Sequence, residues 1–254
     1  MAKDLHSHIL PKLDDGAKNW EESLTIARAA VTDGVSTIVA TPHYGRISEP
    51  EVIEKSENLI EELREKLKRE NIDLEVKLGF EVFLSFETLE RIKTEGEALA
   101  IRDTRFIFIE FPFLFLYPNV TSMIETIVES GFIPIIAHPE RNDTLASRPE
   151  LLYDLIKAGA LSQVNTGSLT GGFGSRARKA GFLFLENSLA QVVATDAHNA
   201  TSRPPLFSPA IKALKKHFSD EEIKIFVEEN PSLILQGEKP SFFPQPIKRR
   251  KFLL

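Results

Sequence analysis

Cysteine is absent from all 254 residues. Without a thiol there is no disulfide, no thiolate metal site and no cysteine nucleophile. That absence also suits a reducing cytosol, where disulfides are rare. Long hydrophobic runs are missing as well. The most apolar stretch, RFIFIEFPFLFLYP from Arg105 to Pro118, is too short to span a bilayer and carries Glu110 in its middle. It reads as a buried strand followed by an aromatic-rich loop. At the amino terminus Lys3 and Asp4 lead straight into histidines, where a secretory signal would need an apolar core. Basic charge is not in excess: the net charge is −6, which argues against a general nucleic-acid binder. The expectation is a soluble cytoplasmic protein with no transmembrane segment and no nucleic-acid partner.

What is present is ordinary globular material, 42% hydrophobic and 27% charged, in a chain long enough to bury a sizeable core. Short β-branched runs alternate with amphipathic stretches. The runs predict strands at Asp4–Ile9, Ser36–Thr41, Leu74–Phe80, Phe106–Phe111, Ile133–Ala137, Leu161–Asn165 and Ala190–Thr195. Helices are expected at Trp20–Thr32, Glu51–Glu70, Val120–Ser130, Pro149–Lys157, Arg176–Asn187, Pro209–His217 and Asp220–Glu229. Asn19 is placed to cap the first, with Glu22 three residues on. Repeated βα units with near-continuous apolar strands imply a parallel sheet covered by helices, and seven such strands suggest a barrel, complete or not. No Pro/Gly-rich linker splits the chain, so residues 1–240 read as one domain. Residues 241–254 differ, with prolines, the basic run Lys248–Lys251 and a final Phe-Leu-Leu. They read as a loose tail, or as a peripheral contact with a partner or with anionic lipid at the inner face of the membrane.

The strand ends collect the chemistry. His6 and His8 lie at i and i+2 of a strand and so project together. TIVATPH ends in His43, KLGFE in Glu81 and FIFIE in Glu110, while PIIAHPER supplies His138 and Arg141 and VVATDAHN supplies Asp196 and His198. In a parallel barrel the active site forms at the carboxyl ends of the strands. Five of the six histidines fall there, and only His217 lies elsewhere, in a charged helix. With Asp15, Glu81, Glu110 and Asp196 they make too many ligands for one ion. Imidazoles with carboxylates suit zinc, manganese or iron, without choosing among them. Two or three cations would activate a water and clamp both oxygens of an in-line displacement at phosphorus. Arg141 and Arg203 are suited to gripping phosphate, since a planar guanidinium takes two oxygens at once. Three further expectations are weaker. Asp4 and Asp14 should be structural or support the ligands from behind. Gly167–Lys179, glycine-rich then basic, reads as a flexible rim loop that meets substrate. Tyr44, Phe113 and Tyr117 line an entrance or pack in the core.

In this order, H-S-H, D-D-G, T-P-H, G-x-E, I-E-F, A-H-P-E-R and D-A-H-N-x-x-x-R resemble the polymerase-and-histidinol-phosphatase (PHP) superfamily. More narrowly, the chain is similar to the manganese-dependent protein-tyrosine phosphatases of bacterial capsule and exopolysaccharide operons, down to the terminal PQPxKRRK of Bacillus-type members. The resemblance implies a distorted (β/α)7 TIM-like barrel with a trinuclear centre. One ion would be held by His6, His8, Glu81 and Asp196, a second by Glu81, Glu110 and His138, and a third by Asp15, His43 and His198. Manganese is expected first, with iron, magnesium, cobalt or zinc as alternatives. Arg141 and Arg203 match the phosphate-binding arginines of that family. Its substrate is phosphotyrosine on the carboxyl-terminal tail of a tyrosine autokinase that controls polysaccharide export. The expected mechanism is direct hydrolysis by a metal-bridged hydroxide without a phosphoenzyme, a metal-bound water or a nearby histidine (His43 or His198) protonating the tyrosyl oxygen. The alternative is a small-molecule phosphomonoesterase of the histidinol-phosphatase type.

Overall fold

A computed structural model describes residues 1–45 and 51–247. Among them are nine strands: β1 (Ala2–Ser7), β2 (Val35–Ala40), β3 (His43–Tyr44), β4 (Glu75–Leu78), β5 (Glu81–Phe83), β6 (Phe106–Glu110), β7 (Ile133–Ala137), β8 (Leu161–Asn165) and β9 (Val192–Ala194). All pair in parallel, in a three-stranded sheet β1-β2-β4 and a six-stranded sheet β3-β5-β6-β7-β8-β9. The α/β class and parallel pairing are as expected, but the ladder does not run unbroken around a ring.

The break between the sheets has a local cause. Two of the seven expected strands are each interrupted and resume, one at Thr41–Pro42 and the other at Gly79–Phe80. Pro42 has no N–H to offer a ladder. Gly79 lies so close to its neighbours that an added Cβ would meet Ile101 Cγ1 at 3.2 Å. The interruptions face each other: the Gly79 amide donates to Ala40 O at 2.9 Å and the Glu81 amide to Pro42 O at 3.1 Å. The sheet steps along this line and restarts with His43 opposite Glu81. At the other seam a lone parallel bridge joins Ser7 to Ala197. There the His8 amide donates to Ala197 O at 2.8 Å and the Asp196 amide to His6 O at 2.9 Å.

Eleven α-helices are described: α1 (Trp20–Thr32), α2 (Val52–Arg69), α3 (Phe86–Leu99), α4 (Val120–Glu129), α5 (Asp143–Ser147), α6 (Pro149–Lys157), α7 (Thr166–Thr170), α8 (Gly174–Glu186), α9 (Ser208–Leu214), α10 (Asp220–Lys224) and α11 (Asn230–Leu235). α1 begins as its cap predicts, with Asn19 Oδ1 accepting from the Glu22 amide at 3.0 Å. Asn19→Ala should lower stability by about 1 kcal/mol, read as a shifted urea midpoint with unchanged activity. An unshifted midpoint would discount this cap.

The sequence reading missed α3. Its Gly96 weakens the helical signal, and that glycine is required because an added Cβ would meet the Phe132 ring at 2.4 Å. The Ser85–Thr88 capping box was the available clue. Gly167–Lys179 is corrected from a flexible loop: it forms α7 and the start of α8, joined through Gly171 at φ 91°. The expected helix Asp220–Glu229 is α10 followed by a π-helical turn, Ile225–Glu229, that leads into α11.

β6, β7 and β8 are buried at every position. Their outer faces pack under the helices, and a second apolar cluster, including Leu5, Val39, Phe106, Phe108, Ile135 and Leu161, fills the inner face. His6 rests on that inner cluster, its ring 5.0 Å from Phe108. Of the expected tail, Phe242 packs against the core and the Gln245 amide donates to Asn187 O at 2.9 Å. The basic run Lys248–Lys251 lies outside the described residues. No described helix is long and apolar enough to cross a membrane.

Candidate metal centre

The nine expected ligand side chains converge at the carboxyl ends of the strands. His6 on β1 and His8 just past its end bring their Nε2 atoms within 3.4 Å of each other. Glu81 Oε2 lies 3.3 Å from each, and Asp196 Oδ1 lies 3.7 Å from His6 and 3.5 Å from His8. The same Glu81 oxygen is 3.0 Å from His43 Nδ1, and the other Glu81 oxygen is 2.8 Å from His138 Nε2. Glu110 Oε2 is 3.9 Å from His43 Nδ1. Asp15, 66% exposed at the mouth, places Oδ1 3.3 Å from both His43 Nε2 and His198 Nε2. Donor atoms fall into three overlapping groups: His6, His8 and Glu81; His43, Glu81 and Glu110; and His8, Asp15, His43 and His198. Glu110 thus groups with His43, whereas the resemblance paired it with His138.

Glu81 Oε1 is hydrogen-bonded to His138 Nε2, but other donor atoms of the cluster are left without a partner. Glu81 Oε2, Asp196 Oδ1, His43 Nδ1 and His198 Nε2 are all buried and have no hydrogen-bond partner. Buried polar atoms are rarely left so, because each loses its water without replacement. Lone pairs crowded about shared points, from nitrogen and oxygen donors without sulfur, fit divalent cations.

The backbone aims several of these groups. His138 ends β7 at φ 32° and Asp196 follows β9 at φ 53°, left-handed conformations that cost a non-glycine residue energy and cluster at functional sites. Behind the ligands, oxygen acceptors hold the far ring nitrogens. Asp14 Oδ2 lies 2.7 Å from His8 Nδ1, Gln163 Oε1 lies 3.0 Å from His6 Nδ1, and the Asp196 carbonyl lies 3.0 Å from His198 Nδ1. An acceptor at Nδ1 fixes the proton there and leaves the Nε2 lone pair facing the centre. Asp14 also accepts from the amides of Gly16 and His43. Gly16 lets this loop close, since an added Cβ would meet His8 O at 2.3 Å. Asp14 therefore supports from behind, as expected, and Asp4 ties β1 to Thr195.

Gln163 and Asn165 were missed. Gln163 Nε2 donates to Asn165 Oδ1 at 2.7 Å, and Asn165 Nδ2 donates to Asp196 Oδ2 at 2.7 Å, linking His6 to Asp196. The signal was available: two amides at i and i+2 of a buried strand share one face.

Electrostatics follow the geometry. Burial pushes the Glu81 carboxyl up, but His6, His138 and His43 together hold it well below the usual carboxylate range. Burial likewise opposes ionisation of Asp196, and His6, His8 and Arg203 outweigh it. Asp14, despite burial, is brought down to about 2 by His8 and the Gly16 amide. Burial lowers His138 and His198. Glu140, buried and accepting from Ser168 and the Asn165 amide, is pushed up to about 7 by desolvation.

Both expected arginines reach the centre. Arg141 Nη1 lies 2.9 Å and Arg203 Nη2 lies 2.5 Å from Asp196 Oδ2. The Arg141 guanidinium sits 4.1 Å from the Phe173 ring centre and 4.8 Å from that of Phe113, which also stacks on His138. Of the three expected aromatics, Phe113 therefore lines the site. Tyr44 is buried, its hydroxyl accepting from Arg91 at 3.0 Å, and Tyr117 meets Phe86 and Phe115 farther out. His217 lies apart, on Phe182 and beside Glu186.

A family model described as capsular polysaccharide synthesis, CpsB/CapC, matches residues 2–236. The chain is 37% identical to the tyrosine-protein phosphatase YwqE of Bacillus subtilis, over 98% of this chain and 97% of that one. It is 33% identical to the tyrosine-protein phosphatase CpsB of Streptococcus pneumoniae, over 92% and 98% respectively. Among solved structures, one described as YwqE from Bacillus subtilis and CpsB from Streptococcus pneumoniae, unique metal-dependent tyrosine phosphatases, superposes with a TM-score of 0.85. It is 35% identical, over 97% of this chain and 99% of that one. The phosphotriesterase homology protein of Escherichia coli, at 11% identity and a TM-score of 0.59, over 92% of this chain and 98% of that one, shares the fold alone.

Proposed function

The chain belongs to the CpsB/CapC family of capsular polysaccharide synthesis, and from that premise we propose that it is a metal-dependent protein-tyrosine phosphatase. Its substrate in this proposal is phosphotyrosine on the carboxyl-terminal tail of a bacterial tyrosine autokinase. The two sheets, stepped at Pro42 and Gly79 and bridged at Ser7–Ala197, are in our reading the wall of a distorted (β/α)7 barrel spanning residues 1–240. Two to three divalent cations, manganese first, held by His6, His8, Asp15, His43, Glu81, Glu110, His138, Asp196 and His198, would supply the Lewis acidity that activates water and neutralises phosphate charge.

The protein's own groups do the rest. Arg141 and Arg203, both within reach of Asp196 Oδ2, are placed to turn onto the equatorial phosphate oxygens, where charge builds in the transition state. Phe113 and Phe173 hold the Arg141 guanidinium in position and keep water from its faces. Asp14, Gln163 and the Asp196 carbonyl hold Nδ1 of three histidines, keeping each ring oriented. His43 and His198 lie beside exposed Asp15 at the mouth, on the side where the tyrosyl oxygen departs in this scheme, and its proton comes from water there or from whichever of the two is not engaged as a ligand. No phosphoenzyme is required, and the chain has no thiol to form the usual one.

Four buried, unpartnered donor atoms aimed at common points carry this proposal. Activity on a phosphotyrosyl peptide should fall to background after exhaustive chelation, return with Mn2+, and be indifferent to a thiol alkylator. Elemental analysis of the purified protein should find the ions. Activity that survives metal-free dialysis would overturn the assignment. Faster turnover of histidinol phosphate than of phosphotyrosyl peptides would move it to the small-molecule alternative.

A further inference from the structure

The loop after β6 exposes large apolar groups beside the centre. Leu114 is 76% and Phe115 50% exposed, and Phe86, at the start of α3, is 63% exposed. Tyr117 joins them, its ring 5.6 Å from Phe115 and 6.4 Å from Phe86. The loop bearing them is tied down. Asn142 Nδ2 donates to Pro112 O at 2.6 Å and to Phe115 O at 3.1 Å, and the Asp143 amide donates to Phe113 O at 2.7 Å. Asn142 Oδ1 is itself fixed by capping α5. These bonds attach the loop to the segment that carries Arg141. Apolar side chains held outward by a fixed backbone, next to a reactive centre, mark an interaction surface.

Resting on the phosphatase proposal above, we propose that Phe86, Leu114 and Phe115 form a ledge that receives an apolar side chain flanking the phosphotyrosine of an extended peptide. The ledge is continuous with Phe113, which backs both His138 and Arg141. Because the loop is tied to the residues that follow Arg141, a polypeptide that delivers its phosphate to Arg141 lays, in this proposal, a neighbouring residue along it. Three side chains offer only a small part of the ~800 Å² per partner of a stable protein pair, which suits the docking of a single apolar side chain.

Two phosphotyrosyl peptides, differing only in leucine or aspartate beside the phosphotyrosine, test this against p-nitrophenyl phosphate, which has no flanking residue. The wild-type protein should prefer the leucine peptide about tenfold in kcat/KM, through KM, as expected for partial burial of one apolar side chain. The double variant L114S/F115S, altered only at exposed positions, should lose that preference and keep its rate on p-nitrophenyl phosphate; F86S should lose part of the preference. Equal use of both peptides by the wild type overturns the ledge. So does a parallel loss on all three substrates, which would make the loop a mere support for Arg141. Weakened binding of the double variant to anionic vesicles, with peptide kinetics unchanged, would assign the surface to lipid instead. A wild-type protein inert towards all three phosphates would sink the phosphatase proposal itself, a failure visible without any variant.

Discussion

Glu81→Gln is expected to reduce phosphatase activity by roughly 10²- to 4 × 10³-fold and to strip metal from the purified protein. Glu81 is the common neighbour of His6, His8, His43 and His138, at 2.8 to 3.3 Å, and it is buried. Glutamine keeps its shape and removes its charge. It also replaces one acceptor with an N–H that has nothing to donate to except lone pairs already aimed at cations. Removing one member of a buried charged set costs about 3–5 kcal/mol, and at about 1.4 kcal/mol per tenfold this becomes the stated loss. Rate on an aryl phosphate and elemental analysis of the same sample give the two readouts. A variant that retains its metal and more than about a tenth of its rate would remove Glu81 from the middle of the centre.

Arg141→Ala should separate phosphate binding from metal binding. The guanidinium touches Asp196 and two aromatic rings but is not among the grouped donor atoms. Asp196 keeps Arg203 and Asn165 as partners when it is gone. Metal content should therefore stay at the wild-type level while kcat/KM falls roughly 30- to 10³-fold, about 2–4 kcal/mol of lost transition-state stabilisation, as for removal of one donor to developing charge. Arg141→Lys should recover little of it, because an ammonium cannot take two oxygens in one plane or lie flat between Phe113 and Phe173. A rate within a few-fold of wild type would show that Arg203 alone handles the phosphate.

The donor residues were legible because strand geometry imposes them. A side chain that ends an apolar run in a parallel sheet faces the rim, so His43, Glu81, Glu110, His138 and Asp196 could be collected without knowing how the strands are ordered. Two strands, Ile133–Ala137 and Leu161–Asn165, were read with their observed bounds. What escaped depended on contacts distant in sequence. Gly79 and Gly96 look like weak points until Ile101 and Phe132 are seen against them. The step at Pro42, which sets His43 beside Glu81, needs both interruptions at once. Gln163 and Asn165 passed as strand residues because nothing local says that an amide will meet an imidazole from another strand. Which donors share an ion escaped as well, since distances of a few ångströms between side chains are invisible to spacing.

The bridge between Ser7 and Ala197 also bears on how the molecule comes into being. Asp4 bonds to Thr195 across 191 positions, so β1, which finds β2 close by in sequence, meets its other neighbour only by closing a very long loop. Until Asp196 and His198 arrive, His6 and His8 stand without two of the neighbours they have in the folded protein. The seam that joins β1 to the segment after β9 therefore also completes the cluster, and opening it would scatter the same side chains.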